Sequence, residues 1–168
     1  MADAIVKDLR AKGDAVWANL VYQLQGMEPY LDRSDAPGEW TTRQVLSHLL
    51  SEPGWNPVDK LKTFADRDLP VIEIHPGQVT VSDDRRAMTL KQFVEGMDGL
   101  RRQVFAHLDG LTDAQLRRKA RVPLLKQFLG TEEIDLPTYV GLIFERHWSD
   151  HVGQLAKIRK AVGLPDAK

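Results

Sequence analysis

The sequence predicts an all-α protein, a four-helix bundle with a long connection between its second and third helices. Four long segments place apolar residues three or four positions apart, which is the period of an amphipathic helix. The connecting residues 56–87 are less regular. A connection of that length argues against a simple up-down-up-down order of the helices. No repeat or linker interrupts the chain, so we expect one domain over residues 1–168.

Two of the predicted helices lie in the first third of the chain. The first runs from about Ala2 to Tyr30 and breaks near Pro29. The second begins after Thr41, because Thr41 and Gln44 have the spacing of a capping box, in which each side chain bonds the other residue's backbone N–H. We expect this helix to end by Pro53, which is a helix-stop signal.

The other two long helices follow the same rules. The third begins after a second capping box, formed by Thr89 and Gln92, and stops at Gly110. The fourth begins near Asp135, a preferred N-cap residue, and ends at Gly163. The apolar stripe of this fourth helix consists of Val140, Ile143, Phe144, His147, His151, Leu155, Ile158 and Val162.

Shorter patterns fill the connections between the long helices. Residues 56–68 predict a short helix capped by Asn56. Residues 69–81 predict an extended crossing with a little strand. After the third long helix, residues 111–116 predict another short helix, capped by Thr112.

The composition excludes several classes of function. With 23 basic and 24 acidic residues the net charge is −1, so we expect no nucleic-acid partner. No apolar run approaches the roughly 20 residues needed to span a bilayer, and the N-terminus lacks the pattern of a secretion signal. We therefore expect a cytoplasmic protein without a membrane partner. The absence of cysteine excludes disulfides, thiolate metal sites and a thiol nucleophile, so a bound metal must use His, Asp or Glu.

His147 and His151 stand four residues apart in the fourth helix, which stacks their imidazoles on one face. Both fall within the apolar stripe, flanked by Phe144 and Leu155. A buried imidazole without a partner costs about 1–3 kcal/mol, so each ring needs one. One shared metal would satisfy both rings; separate hydrogen bonds to carbonyls or carboxylates would do so as well. The pair alone leaves both interpretations open.

Two motifs resemble the DinB-like family of metal-binding four-helix bundles. Residues 40–49, WTTRQVLSHL, match the start of that family's second helix with a histidine inside it, and residues 147–155, HWSDHVGQL, match a late H-x-x-x-H followed by Gly-Gln. The resemblance implies that His48, His147 and His151 bind a divalent ion, typically zinc or nickel, and that the protein is a homodimer. Periodicity alone places His48 at the flank of its helix's apolar stripe, so its role as third ligand rests on the resemblance.

The resemblance also bears on function, because relatives include bacillithiol transferases and mycothiol-dependent maleylpyruvate isomerases. Three histidines with open positions form a catalytic rather than a structural type of metal site. The leading hypothesis is a metal-dependent enzyme of thiol-transferase or hydrolase type that acts on a small molecule. A thiol would be a low-molecular-weight cosubstrate, since the chain has no cysteine. The alternative is a non-catalytic metal-binding or stress-related protein whose site is structural or vestigial.

Few other residues are candidates for the site. The H-E-x-x-H motif is absent, and no glutamate stands three residues before a histidine, which excludes the common di-iron pattern. Glu52 follows His48 by four residues and is a candidate catalytic base, with a solvated carboxylate as the alternative. Gln154 shares the face of His147 and is a candidate to contact a ligand or to cap the site. Packing or surface roles are expected for His75, Trp55 and Trp148, whereas His107 lies near the C-terminus of the third helix, where a cation suits the helix dipole.

Overall fold

The computed structural model of the chain describes residues 2–51, 56–77 and 79–166. In chain order its helices are α1 (Ala2–Leu24), α2 (Thr42–Leu49), α3 (Pro57–Asp66), α4 (Asp83–Ala87), α5 (Leu90–Asp109), α6 (Asp113–Leu116), α7 (Lys126–Leu129), α8 (Leu136–Gly141) and α9 (Ser149–Ala161), with 3-10 turns at Glu28–Tyr30 and Pro123–Leu125. A π-helical segment, Leu142–Trp148, joins α8 and α9 into one final helix. The predicted bundle of α1, α2, α5 and this final helix is confirmed. No helix within the described ranges is both long and apolar enough to cross a membrane.

The helix caps expected from the sequence are present at the helix starts. At α2 the Thr41 hydroxyl accepts a hydrogen bond from the Gln44 N–H at 3.2 Å, and the Gln44 side chain accepts one from the Thr41 N–H at 2.8 Å. Thr89 and Gln92 repeat this capping box at α5. The final helix starts behind Asp135, whose carboxylate caps its first turn. Each cap satisfies backbone donors that have no partner inside the helix.

An aromatic layer joins α1 and α5 to the final helix. The ring centroid of Phe144 lies 5.4 Å from that of Phe105 and 4.9 Å from that of Trp148, and Trp148 lies 6.0 Å from Trp17. Gly13 allows the close approach of α5 to α1, because a Cβ at residue 13 would lie 3.2 Å from the Phe105 ring. Trp148 is buried in this layer, so the packing role predicted for it is confirmed.

Helix α2 ends at Leu49, before Pro53, by which the sequence expects it to end. Ser51 then takes the left-handed backbone conformation, with a φ of 77°, which costs a non-glycine residue about 1–3 kcal/mol. The Arg85 guanidinium from α4 donates to the carbonyls of Ser47, in the last turn, and of Ser51, just beyond it. The cation that stabilises this early end comes from another element, so the local sequence does not reveal it.

Short elements that the sequence did not indicate surround the bundle. The strands β1 (Lys119–Arg121) and β2 (Glu133–Asp135) form an antiparallel pair in which Ala120 lies opposite Ile134. On the long connection, Val71 makes a single parallel bridge to β1. The predicted extended crossing therefore contributes one bridge rather than a strand of its own. Helix α1 stops at Leu24, and a separate 3-10 turn takes the place of its predicted last turn.

The π-helical segment is a departure from the regular α-helix that the sequence predicted. Ile143, placed in the core stripe by α-helical spacing, is only partly buried. In an α-helix each four-residue step passes a full turn by about 40°, so a run of such steps drifts off one face. A π turn holds more residues, so it offsets that drift. The fully buried or nearly buried residues of this helix include a run at steps of four: Leu136, Val140, Phe144, Trp148 and Val152.

Candidate metal centre

His48, His147 and His151 meet between α2 and the final helix. The Nε2 atoms of His48 and His147 lie 2.8 Å apart, and those of His147 and His151 lie 3.1 Å apart. The three distances between ring centroids are 4.7, 4.9 and 5.0 Å. In the part of the chain that the structure describes, this is the one group of His, Asp or Glu whose ligand atoms converge closely enough to hold a metal ion.

His48 reaches the group from the flank of α2. Val45 and Leu49, on the buried face of this helix, are 0% and 2% exposed, whereas His48 is partly exposed. The flank lies toward the final helix, because His48 Nε2 is 2.8 Å from His147 Nε2 on that helix. The flank position given by periodicity and the inward position implied by the family resemblance are therefore compatible.

Hydrogen bonding does not account for the position of His147. A ring nitrogen carries either one proton or one lone pair, so it makes one hydrogen bond. His147 Nε2 nevertheless lies within hydrogen-bond distance of two other ring nitrogens. Two nitrogens bound to one ion at about 2.1 Å each are roughly 3.0–3.4 Å apart for bond angles between about 90° and 109°. The 3.1 Å separation lies within that range and the 2.8 Å separation lies just below it, so the three rings fit a shared cation.

Burial keeps two of these rings in the neutral form. Burial, with smaller contributions from His151 and His48, lowers the pKa of His147 to about 3. Burial also lowers the pKa of His151, although the hydrogen bond to Gln154 opposes the shift. A neutral imidazole offers the lone pair that a metal needs. His147 and His151 are therefore in the ligating protonation state at neutral pH.

Two neighbours hold the ring of His151. Gln154 Oε1 lies 2.9 Å from His151 Nδ1. The Trp40 ring centroid lies 6.0 Å from that of His151, with the two planes within 5° of parallel, and 5.1 Å from the His48 ring. The sequence placed Gln154 near the site but gave Trp40 no role there. The available signal was an aromatic residue directly before the capping box of the helix that carries His48.

Two arginines fix α2, and with it His48, to distant parts of the chain. Arg85 donates to backbone carbonyls at the end of this helix. Arg43, near its start, donates to the Met88 carbonyl at 2.8 Å and to the Asp32 carboxylate at 2.7 Å. Sequence reasoning missed both arginines, because their partners lie on other elements.

Each of the three histidines is partly exposed. Glu52, the candidate base, and Trp55 lie outside the described residues. His75 is exposed. His107 lies on α5, where burial and the charge of Lys62 lower its pKa. Neither His75 nor His107 belongs to the group that converges.

The fold has a counterpart among solved structures. No protein-family model matches the chain, and no curated protein matches it. YfiT from Bacillus subtilis, described as a probable metal-dependent hydrolase with an unusual four-helix bundle topology, matches with a TM-score of 0.70 and 22% sequence identity, over 98% of this chain and 89% of that one. At this identity the likeness concerns the fold. The chain thus has the four-helix bundle fold of YfiT, which is consistent with the DinB-like family that its histidine motifs resemble.

Proposed function

We propose that the chain is a divalent-metal-dependent enzyme acting on a small molecule, with His48, His147 and His151 as the metal ligands. The observation that carries the proposal is the position of His147 Nε2, which lies 2.8 and 3.1 Å from two other ring nitrogens although it can hydrogen-bond to only one. The likeness to YfiT, described as a probable metal-dependent hydrolase, supports the same assignment.

The donor set indicates the kind of ion and what it supplies. Imidazole nitrogens suit zinc and nickel, and we infer one of these as the metal. Bound by three protein ligands, such an ion keeps positions open, at which it lowers the pKa of a water or thiol and polarises a carbonyl. The chain's own part is to hold three partly exposed histidines together, with the rings of His147 and His151 neutral.

The chemistry of the group favours the hydrolase or the thiol-transferase type of reaction. The converging group contains no carboxylate among the residues described, so its neutral ligands leave the charge of an ion uncompensated. An uncompensated cation favours an anionic ligand such as hydroxide or a thiolate. Since the chain has no cysteine, a thiol would be a low-molecular-weight cosubstrate. Glu52, four residues after His48 in the sequence, is our candidate general base.

The openness of the group favours an enzyme over the non-catalytic alternative. A structural zinc site is usually closed by four protein ligands, whereas three partly exposed histidines converge in the part of the chain that the structure describes. We further propose that the protein is cytoplasmic and acts as a homodimer. Light scattering on the purified chain should give the mass of two chains, and a monomer mass would contradict the dimer.

Metal analysis combined with activity assays tests the proposed function. The purified chain, loaded with zinc or nickel and freed of excess ion, should retain about one ion per chain and either hydrolyse small esters or amides or transfer a small thiol to an electrophile. His48→Ala should lose both properties. His75→Ala, which changes an exposed histidine outside the group, should keep both. Metal binding without turnover in either assay would favour the non-catalytic alternative, and failure to bind metal would reject the proposal.

A further inference from the structure

We propose that Gln154 is a positioning residue, which fixes the tautomer of His151 so that its Nε2 presents a lone pair to the other two histidines. The proposal rests on the proposed function of the three histidines as metal ligands. Gln154 lies on α9, three residues after His151, and is partly exposed. Its side chain bonds the ring nitrogen that faces away from His147.

The hydrogen bond between these side chains decides where the proton of His151 lies. Gln154 Oε1 is 2.9 Å from His151 Nδ1. An amide oxygen only accepts hydrogen bonds, so Nδ1 carries the proton and Nε2 of the neutral ring carries the lone pair. Nε2 is also the atom that lies 3.1 Å from His147 Nε2. Without this acceptor the proton can occupy Nε2, where it blocks ligation.

A rotation of the His151 ring would also turn Nε2 away from His147. Trp40 restricts rotation of this ring out of its observed plane. Its indole lies parallel to the His151 ring within 5°. The same indole meets the His48 ring edge-on, at 5.1 Å between centroids. A half-turn of the His151 ring would break the hydrogen bond to Gln154 but keep the plane parallel to Trp40, whereas a partial rotation would lose the parallel contact as well. Gln154 therefore sets the position of the proton, while Trp40 sets the plane of the ring.

Zinc titration of matched variants tests the proposal. Gln154→Leu removes the acceptor at similar size, Gln154→Glu keeps an acceptor, and Gln103→Leu repeats the first change at an exposed position of α5. Loss of an outer hydrogen-bond partner of a metal-bound histidine weakens metal binding about 10–100-fold. We expect that loss in Gln154→Leu alone, with the melting temperature of the metal-free chain unchanged. Zinc affinity in Gln154→Leu equal to that of the unmodified chain would overturn the proposal.

A second measurement separates failure of this proposal from failure of the proposed function. Nitrogen-15 NMR of the full-length chain, freed of metal by a chelator, reports which nitrogen of His151 bears the proton. We expect Nδ1 to bear it in the unmodified chain and in Gln154→Glu, and the Nε2–H form to gain in Gln154→Leu. This pattern in a chain that binds no zinc would reject the metal function and retain the role of Gln154. A proton on Nε2 in the unmodified chain would overturn that role.

Discussion

The two sides of the histidine group are built by different means. His147 and His151 lie on one continuous helix, so the helix itself sets their separation. His48 lies on α2, which has only 8 residues. Such a short helix is not stable alone and depends on tertiary contacts. Among these contacts, Arg43 of α2 donates to the Met88 carbonyl, and Arg85 of α4 donates to carbonyls at the end of α2. One side of the group is therefore a local property of the sequence, and the other is a property of the packing.

Removal of His147 and His151, the local pair on one helix, should have the largest effect on metal binding. The double variant His147→Ala, His151→Ala eliminates two of the three proposed ligands, so we expect it to retain no zinc after removal of excess ion. Because alanine is the better helix former, the helical signal in circular dichroism should persist. Metal content measured by mass spectrometry gives the result. Full occupancy in the double variant would show that the ion lies elsewhere.

The single variant His48→Ala removes the side that depends on packing. Its zinc affinity should fall by more than the ~10–100-fold that loss of an outer hydrogen-bond partner causes, since a direct ligand is lost. The fold should be retained, because His48 is partly exposed. Competition with a chromophoric chelator measures the affinity. A fall of less than about tenfold would exclude His48 as a ligand.

The stability of the metal-free chain should depend on pH through the local pair. The folded-state pKa of His147 is about 3, below the value of about 6.5 for an unfolded histidine. Between these values the unfolded chain binds more protons, so stability rises with pH. The contribution of His147 to the stability of the folded chain is fully present above about pH 6.5. It is lost as the pH falls toward 3, and the total loss is on the order of a few kcal/mol.

Urea unfolding in the presence of a chelator, at several pH values from about 7.5 down to about 5, measures this dependence. His147→Ala should make the dependence weaker, and an equal slope in that variant would contradict the assignment. Zinc affinity should also fall at low pH, because protons and metal compete for the same lone pairs, but for His147 this competition begins only as the pH approaches its folded pKa of about 3.

Arg85→Ala should weaken the site from a distance. Hydrogen bonds from a charged group contribute about 1.5–3 kcal/mol, so we expect the free energy of unfolding to fall by about 2 kcal/mol. Zinc affinity should fall as well, because the turn that follows His48 loses its anchor. Arg86→Ala is the matched control, since the Arg86 side chain is 70% exposed, and it should change neither quantity.

A double-mutant cycle shows whether Arg85 acts through His48. If it does, Arg85→Ala should cause no further loss of zinc affinity once His48 is alanine. An additive loss in that background would mean that Arg85 supports the local pair instead.

The smallest effect on the metal site is expected from replacement of Trp40, which reports on the ion through its fluorescence. Its ring lies 5.1 and 6.0 Å from the rings of His48 and His151, so nickel bound by the histidines should quench its fluorescence. Trp17 instead packs against Trp148 in the aromatic layer. Trp40→Phe should remove most of the nickel-induced quenching, and Trp17→Phe should leave it. Unchanged quenching in Trp40→Phe would place the ion away from this group.

Sequence reasoning succeeded where neighbouring residues decide the structure. The capping boxes at Thr41 and Thr89 and the N-cap at Asp135 depend on side chains within one turn, so their spacing was sufficient. The closeness of the His147 and His151 rings, which meet edge to face at 4.7 Å between centroids, is likewise a consequence of helical geometry.

The features that sequence reasoning missed depend on contacts between distant residues. The early end of α2 depends on Arg85, and the contact of Trp40 with His151 joins two elements of the bundle. For His48, the periodicity gave the flank position, and only the family resemblance placed it beside the other histidines. The wide turn in the final helix did leave a signal, the run of apolar residues at steps of four, but an α-helical period of 3.6 conceals it.

That wide turn, residues 142–148, separates two rotational settings within the final helix. Because a π turn holds about one residue more than an α turn, removal of one exposed residue here, such as Arg146, would be absorbed by a return to regular α-helix, and both helical halves would keep their rotational setting. The same removal within α9 has no wide turn to absorb it and would rotate the residues beyond it by about 100°. The apolar face and the histidine face would therefore both survive a one-residue gap at this turn, whereas a gap in α9 would turn part of the helix away from its partners.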